Sequence, residues 1–216
     1  MKKLAIFDLD GTLINSIKDL GIATNVALEK HGFPTHDEKA YNAFVGNGVN
    51  KLIERALPEC HRDEATILLL KKDFKAYYDL HNLDYTRPYP GIESLLDELQ
   101  KRDVKIAVAS NKYEEAVKHI VTHIFPSTEW AMIAGQREGV PVKPDPSIVF
   151  EILSHTGIRK SDVIYIGDSG VDMETARRAG VESVGVTWGF RNEAELRNNY
   201  ANHIVNVAEE IINLIG

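Results

Sequence analysis

Five short, largely apolar runs, without the sustained alternation of a half-wet sheet, set the strongest limit on how this chain folds. They are Leu4 to Phe7, Val104 to Ala109, Trp130 to Ala134, Val163 to Ile166 and Ser183 to Thr187. A strand with one wet face alternates, whereas a strand covered on both faces reads as a continuous apolar run. Helix-period patterns separate the runs. Ile92, Leu95, Leu96 and Leu99 form one stripe, and Ile148, Val149, Ile152 and Leu153 another. Val171 to Ala179 is a third, with Gly180 placed to stop it. Strands alternating with helices predict an α/β fold built on a doubly wound parallel sheet.

The first connection breaks this rhythm. About ninety residues separate Asp8 from Val104, where a crossover between parallel strands needs only about a dozen. From Ile17 to Leu83 the pattern is almost wholly helical, with stripes at Leu20, Ala23, Ala27 and Leu28, at Leu52, Ile53, Ala56 and Leu57, and at Leu69, Leu70, Phe74 and Tyr77. The expected organisation is a small all-helical domain at 17–83 inserted into an α/β core of 1–16 and 84–216. The proline-rich stretch from Tyr85 to Gly91 is the expected return hinge.

The 216 residues, 44% of them hydrophobic, hold enough apolar material for such a core. A formal charge of −7 argues against a nucleic-acid backbone as partner, because that binding draws on clustered Lys and Arg. No apolar stretch approaches the roughly 18 residues of a membrane span, and the run before Asp8 is too short for a signal peptide. Cys60 stands alone, which excludes an intrachain disulfide and fits a reducing compartment. The expectation is a cytoplasmic protein, monomer or homodimer, that binds neither nucleic acid nor membrane.

Three of the expected strands run into a polar residue useful to phosphoryl transfer: Asp8 after the first, Ser110 after the second, Gly167-Asp168 after the fourth. In an open α/β sheet the carboxyl ends of the strands form the ligand crevice. Lys143, in Val-Lys-Pro-Asp-Pro, falls in the loop after the third strand, on the same side. If Asp8 is a nucleophile, its approach to a phosphate dianion has to be offset by positive charge. Asp168 and one oxygen of Asp8 can hold a hard divalent cation, which suits Mg²⁺. Lys143 adds a second positive charge, and Ser110 can hydrogen-bond the transferring oxygens. Asp10 is then placed to protonate a leaving alkoxide and later to take a proton from water. Asp172, one helical turn after Asp168, could orient Lys143 or a metal-bound water, or could simply be an acid favoured in the first turn of a helix. Four acids at one site would be strongly destabilising without compensating cations.

Asp8-Leu9-Asp10-Gly11-Thr12-Leu13, Ser110-Asn111, Lys143-Pro144 and Gly167-Asp168-Ser169 through Asp172 resemble, in order, the four motifs of the haloacid dehalogenase-like hydrolases. The resemblance covers the full chain, and the 17–83 insertion looks like that family's cap on a Rossmann-like core. Val45-Gly46-Asn47-Gly48, Arg55-Ala56-Leu57 and Thr86-Arg87-Pro88-Tyr89-Pro90-Gly91 resemble its phosphoglycolate phosphatase branch. The resemblance implies a Mg²⁺-dependent hydrolase of a small phosphorylated metabolite, acting through an aspartyl phosphate. Asp8 is then nucleophile and metal ligand, Asp10 acid/base and a metal ligand through its carbonyl, and Asp168 the third protein ligand. Asp172 joins this acidic group as a further candidate ligand. Ser110, Asn111, Gly46, Asn47 and Arg55 are candidate substrate contacts. Arg55 is a possible carboxylate clamp, although an arginine on a helix needs no special role, and Gly46 to Gly48 could equally be a plain turn.

Two alternatives share parts of the pattern. A phosphosugar mutase would use the same Asp8 and Asp10 chemistry with a different cap. A non-enzymatic phospho-receiver shares the sheet, the acids and a lysine, but lacks the insertion and Asp10. His119 and His123 have the one-turn spacing of a zinc pair, with no third ligand evident.

Overall fold

A computed structural model describes residues 1–216. The chain enters through β1 (Leu4–Phe7), buried along its whole length, and turns through the two-residue β2 (Ile14–Asn15). Four helices follow: α1 (Ile17–Lys30), α2 (Glu38–Phe44), α3 (Gly48–Ala56) and α4 (Glu64–His81). The chain returns through β3 (Arg87–Pro88), which pairs antiparallel with β2. Helix and strand then alternate through α5 (Ile92–Lys101), β4 (Lys105–Tyr113), α6 (Glu114–Ile124), β5 (Trp130–Gln136) and α7 (Ser147–Thr156). The last part runs β6 (Val163–Gly167), α8 (Gly170–Ala179), β7 (Glu182–Val186), α9 (Glu193–Asn198), β8 (His203–Val205) and α10 (Ile212–Ile215). No helix is long and apolar enough to cross a membrane.

The main sheet has six parallel strands in the order β5-β4-β1-β6-β7-β8. β1 is therefore flanked by β4 and β6, which come from opposite halves of the winding, and the crevice at its carboxyl end is the switch point. Period-two alternation sends Ala5 and Phe7 into one apolar cluster with α5 and α6. Leu4 and Ile6 go into a second cluster with α7 and α8. Both faces are covered, which is why the strands read as unbroken apolar runs. The sheet is the doubly wound α/β architecture expected from the sequence.

Three features depart from expectation. β4 does not stop at Ala109 but runs on through Ser110 to Tyr113. Its pairing with β5 slips there: Ala109 faces Ala134 and Tyr113 faces Gln136, so four steps along β4 match two along β5. The bulge frees Ser110, Asn111 and Lys112 from regular pairing and aims them over the crevice. In α4 Leu70 and Phe74 are buried as expected, but the stripe continues through Tyr78, while Tyr77 is half-buried and Leu69 is 49% exposed. The strands β2, β3 and β8 have no counterpart among the expected runs, because two or three residues carry no readable period.

Helices α1 to α4 are tied back to the return segment by a buried carboxylate. Asp19 accepts from Tyr85 N at 3.0 and 3.1 Å, from Thr86 N at 2.8 Å and from Thr86 Oγ1 at 2.7 Å. Replacing Asp19 with Ala strands these donors. Urea unfolding is expected to show a loss of about 3 kcal/mol, and a loss below about 1 kcal/mol would contradict the tie.

Candidate active site

β1 hands the chain directly to Asp8, whose N–H continues the ladder to Ile166 O at 2.9 Å. The chain then folds back on Leu9 O, which accepts from Thr12, Leu13 and Ile14 N–H groups. Gly11 sits in this turn at φ +91°, and a Cβ there would lie 2.7 Å from Asp168 Cγ. Glycine thus answers two demands at one position, a left-handed backbone and the close approach of a carboxylate. Asp168 follows β6, and its Oδ2 accepts from Phe190 N at 2.7 Å. Ser169 next to it caps α8 in a reciprocal capping box with Asp172.

Lys143 lies at the centre, with almost no exposed surface. Its Nζ is 2.8 Å from Asp8 Oδ1 and 2.8 Å from Asp172 Oδ1, and it donates to Ala109 O at 2.9 Å and Tyr165 OH at 3.1 Å. Asn111 fixes the loop that carries it, accepting from Lys143 N at 2.8 Å and donating to Lys143 O at 3.1 Å. Burial works against the charge of Lys143, but Asp172 and then Asp8 outweigh it and hold its pKa well above the usual lysine value. Both oxygens of Asp172 are engaged, one by Lys143 and the other by Ser169 Oγ at 2.6 Å. One oxygen of Asp8 is held by Lys143, and the other receives no hydrogen bond from the chain.

Asp8, Asp168 and Asp172 bring carboxylate oxygens within 4.8 Å of one another, all buried. Burial, then Asp172, pushes Asp8 up to about 7. Burial, then Asp172 and Asp8, pushes Asp168 well above the ordinary carboxylate range. Oxygen-only donors whose ionisation is resisted until positive charge arrives fit a hard divalent cation. The engagement of Asp172 by Lys143 and Ser169 leaves Asp8 and Asp168 as the freer pair.

Asp10 belongs to a second group. Its carboxylate takes both oxygens to Lys112 Nζ, each at 2.9 Å, and accepts from Ser16 Oγ at 2.5 Å. Asp8, Asp10, Ser110, Asn111 and Lys112 line a cavity of about 40 Å³, whose other wall is formed by the helical segment. Ser110 caps no helix; its Oγ accepts from Lys112 N at 3.2 Å, which leaves its proton free to donate.

The other expected contacts divide. Gly46 lines the cavity with Gly48, and its carbonyl accepts from Asn111 Nδ2 at 3.2 Å. Arg55 and Asn47 do not line it. Arg55 donates to Phe44 O at 2.9 Å, to Ala43 O at 3.4 Å and to Asn47 Oδ1 at 2.8 Å, so its guanidinium braces the loop between α2 and α3. His119 and His123 are exposed on α6. Several residues were not picked out from the sequence: Lys112, Ser16, the Phe190 N–H, and Arg191, which donates to the Asn42 carbonyl and to Val45 O at 2.6 Å. Lys112 carried a signal, since it follows Ser110-Asn111 directly. A main-chain donor such as Phe190 carries none.

This geometry can be set beside known proteins. The family model for haloacid dehalogenase-like hydrolases matches residues 5–186. A phosphoglycolate phosphatase from Aquifex aeolicus is 32% identical over 188 residues, spanning 87% of this chain and 86% of that protein. Another from Pseudomonas syringae pv. tomato is 34% identical, over 89% of this chain and 72% of its own length. A crystal structure of a provisionally assigned phosphoglycolate phosphatase from Lactobacillus delbrueckii superposes with a TM-score of 0.93 at 33% identity, covering 100% of this chain and 99% of that one. A β-phosphoglucomutase from Clostridium difficile shares the fold, with a TM-score of 0.80 at 24% identity over 100% of this chain and 97% of that one. With four ordered motifs gathered at one switch point and a single family model running from β1 to β7, the chain belongs to the haloacid dehalogenase-like hydrolases.

Proposed function

We propose that this chain is a Mg²⁺-dependent phosphatase of small phosphomonoesters, 2-phosphoglycolate foremost, working through a phosphorylated Asp8. The observation that carries this is the separate pairing of two neighbouring acids. Asp8 is held by Lys143 and Asp10 by Lys112, so one carboxylate is set up to attack and the other to handle protons.

The Asp8 oxygen left free by Lys143 attacks phosphorus, and the bond to the leaving alcohol breaks. Asp10 enters this step protonated and gives its proton to the alkoxide, and the carboxylate that results is the form Lys112 and Ser16 hold here. Asp10 then takes a proton from water as the water attacks the phosphorus of the aspartyl phosphate, releasing inorganic phosphate and restoring Asp8. Lys143 and the free Ser110 proton offset charge on the transferring oxygens. Asp8, Asp168 and the main-chain carbonyl of Asp10 would hold Mg²⁺, which supplies the positive charge needed for a carboxylate to approach a phosphate dianion. Asp172 keeps Lys143 in place.

Residues 17–83 are proposed as a cap over a core of 1–16 and 84–216, excluding water while the phosphoryl group moves. In favour, Leu20, Val49, Leu52, Phe74 and Tyr78 from that segment form the apolar side of the cavity.

Two outcomes test this. Asp8→Asn should lower kcat by about a thousand-fold or more without loss of fold, as judged by circular dichroism; near-normal turnover would rule out Asp8 as nucleophile. Mg²⁺ affinity, followed by calorimetry, should rise as pH rises through about 7, the value to which burial pushes Asp8. Below that pH protons occupy the carboxylate that the cation needs; above it the carboxylate is already ionised. A flat affinity between pH 6 and 8 would contradict the assignment.

A further inference from the structure

Four buried side-chain polar atoms have no hydrogen-bond partner: Thr12 Oγ1, the Tyr78 hydroxyl, Trp130 Nε1 and Arg137 Nε. Of these residues only Tyr78 lines the cavity that contains Asp8 and Asp10. Tyr78 has no exposed surface. A buried hydroxyl without a partner has lost its hydration and gained nothing in return. Placed in the wall of a ligand cavity, it points to an acceptor on the ligand.

The surroundings narrow the chemistry. The other side chains that the helical segment contributes to this wall (Leu20, Val45, Val49, Leu52 and Phe74) carry no polar atom. Tyr78 is its one side-chain donor. Burial, then Asp10, holds the phenol well above its usual pKa, so it remains an O–H group. Lys112 Nζ stands 4.9 Å from the Tyr78 ring centroid. Its two bonds to Asp10 leave the third ammonium proton available. Arg55, the clamp expected from the sequence, is already bound to Phe44, Ala43 and Asn47. Tyr78 and Lys112 both line this cavity, and a hydroxyl with an ammonium is the kind of donor pair that a carboxylate accepts from.

We propose that Tyr78 is a specificity-determining residue whose hydroxyl donates to the carboxylate at the far end of a short leaving group, with Lys112 supplying the matching charge. The assignment rests on the phosphatase function proposed above and adds the group that tells one small phosphoester from another. A site built around such a donor rejects an analogue lacking the acceptor, because its own polar groups are then left unpaired.

The test compares kcat/KM for 2-phosphoglycolate and ethyl phosphate, which have the same carbon number and differ in the carboxylate, in the wild type and in Tyr78→Phe. The wild type should prefer 2-phosphoglycolate, and Tyr78→Phe should reduce that preference about ten-fold or more. Its Tm should stay level or rise, since the hydroxyl removed is unpaired. Wild-type protein that hydrolyses neither ester overturns the phosphatase function itself. Wild-type protein indifferent to the carboxylate overturns the choice of 2-phosphoglycolate, and Tyr78's role with it. A wild-type preference that survives intact in Tyr78→Phe overturns the role of Tyr78 alone. Equal losses on both esters, or a fall in Tm of several degrees, would make the hydroxyl structural and overturn it as well.

Discussion

A single buried ammonium holds this site together. Lys143 joins the end of β1 through Asp8, the backbone of β4 through Ala109, β6 through Tyr165 and the first turn of α8 through Asp172. Desolvating a lysine and two aspartates is expensive, and the arrangement survives only because each charge has a close partner. Removing the lysine would leave neighbouring carboxylates facing one another in a dry crevice. The same constraint sets the division among the acids. Asp172 has both oxygens occupied and positions the lysine, while Asp8 keeps one oxygen free.

Asp10 is two residues from Asp8 yet lies in a different electrostatic environment, with Lys112 and Ser16 as its partners. The bulge in β4 makes this possible, since it delivers Ser110, Asn111 and Lys112 over the same crevice within three residues. Asn111 then clamps the Lys143 loop, so the two lysines are positioned by one irregular stretch of strand. The segment after β7 connects the other side. Phe190 N binds Asp168, and the next residue, Arg191, grips the carbonyls of Asn42 and Val45 between α2 and α3. Acidic site and helical segment are thereby linked through adjacent residues, a physical route by which movement of one could bias the other.

The sheet was legible in the sequence because a strand buried on both faces cannot hide its apolar run. Asp8, Lys143 and Asp168 were legible as residues at or beyond the ends of such runs, and the structure brings all three together. What stayed hidden follows from the physics of each case. Bulges depend on pairing with another strand, so the extension of β4 through Lys112 left no local mark. Arg55 looked like a free guanidinium because nothing in sequence shows that Phe44 and Ala43 turn their carbonyls toward it. On α4 the expected Leu70 and Phe74 are buried, but the direction of packing, which the apolar pattern alone does not settle, also buries Tyr78 and exposes Leu69.

Covalent modification of Asp8 is the event on which the proposed chemistry turns. Acid quenching during turnover, followed by borohydride reduction and peptide mass spectrometry, converts an acyl phosphate at that position into homoserine. Homoserine at position 8, formed only when substrate is present, is the predicted result. Unmodified Asp8 under quench conditions that preserve an acyl phosphate, with turnover proceeding normally, would contradict it.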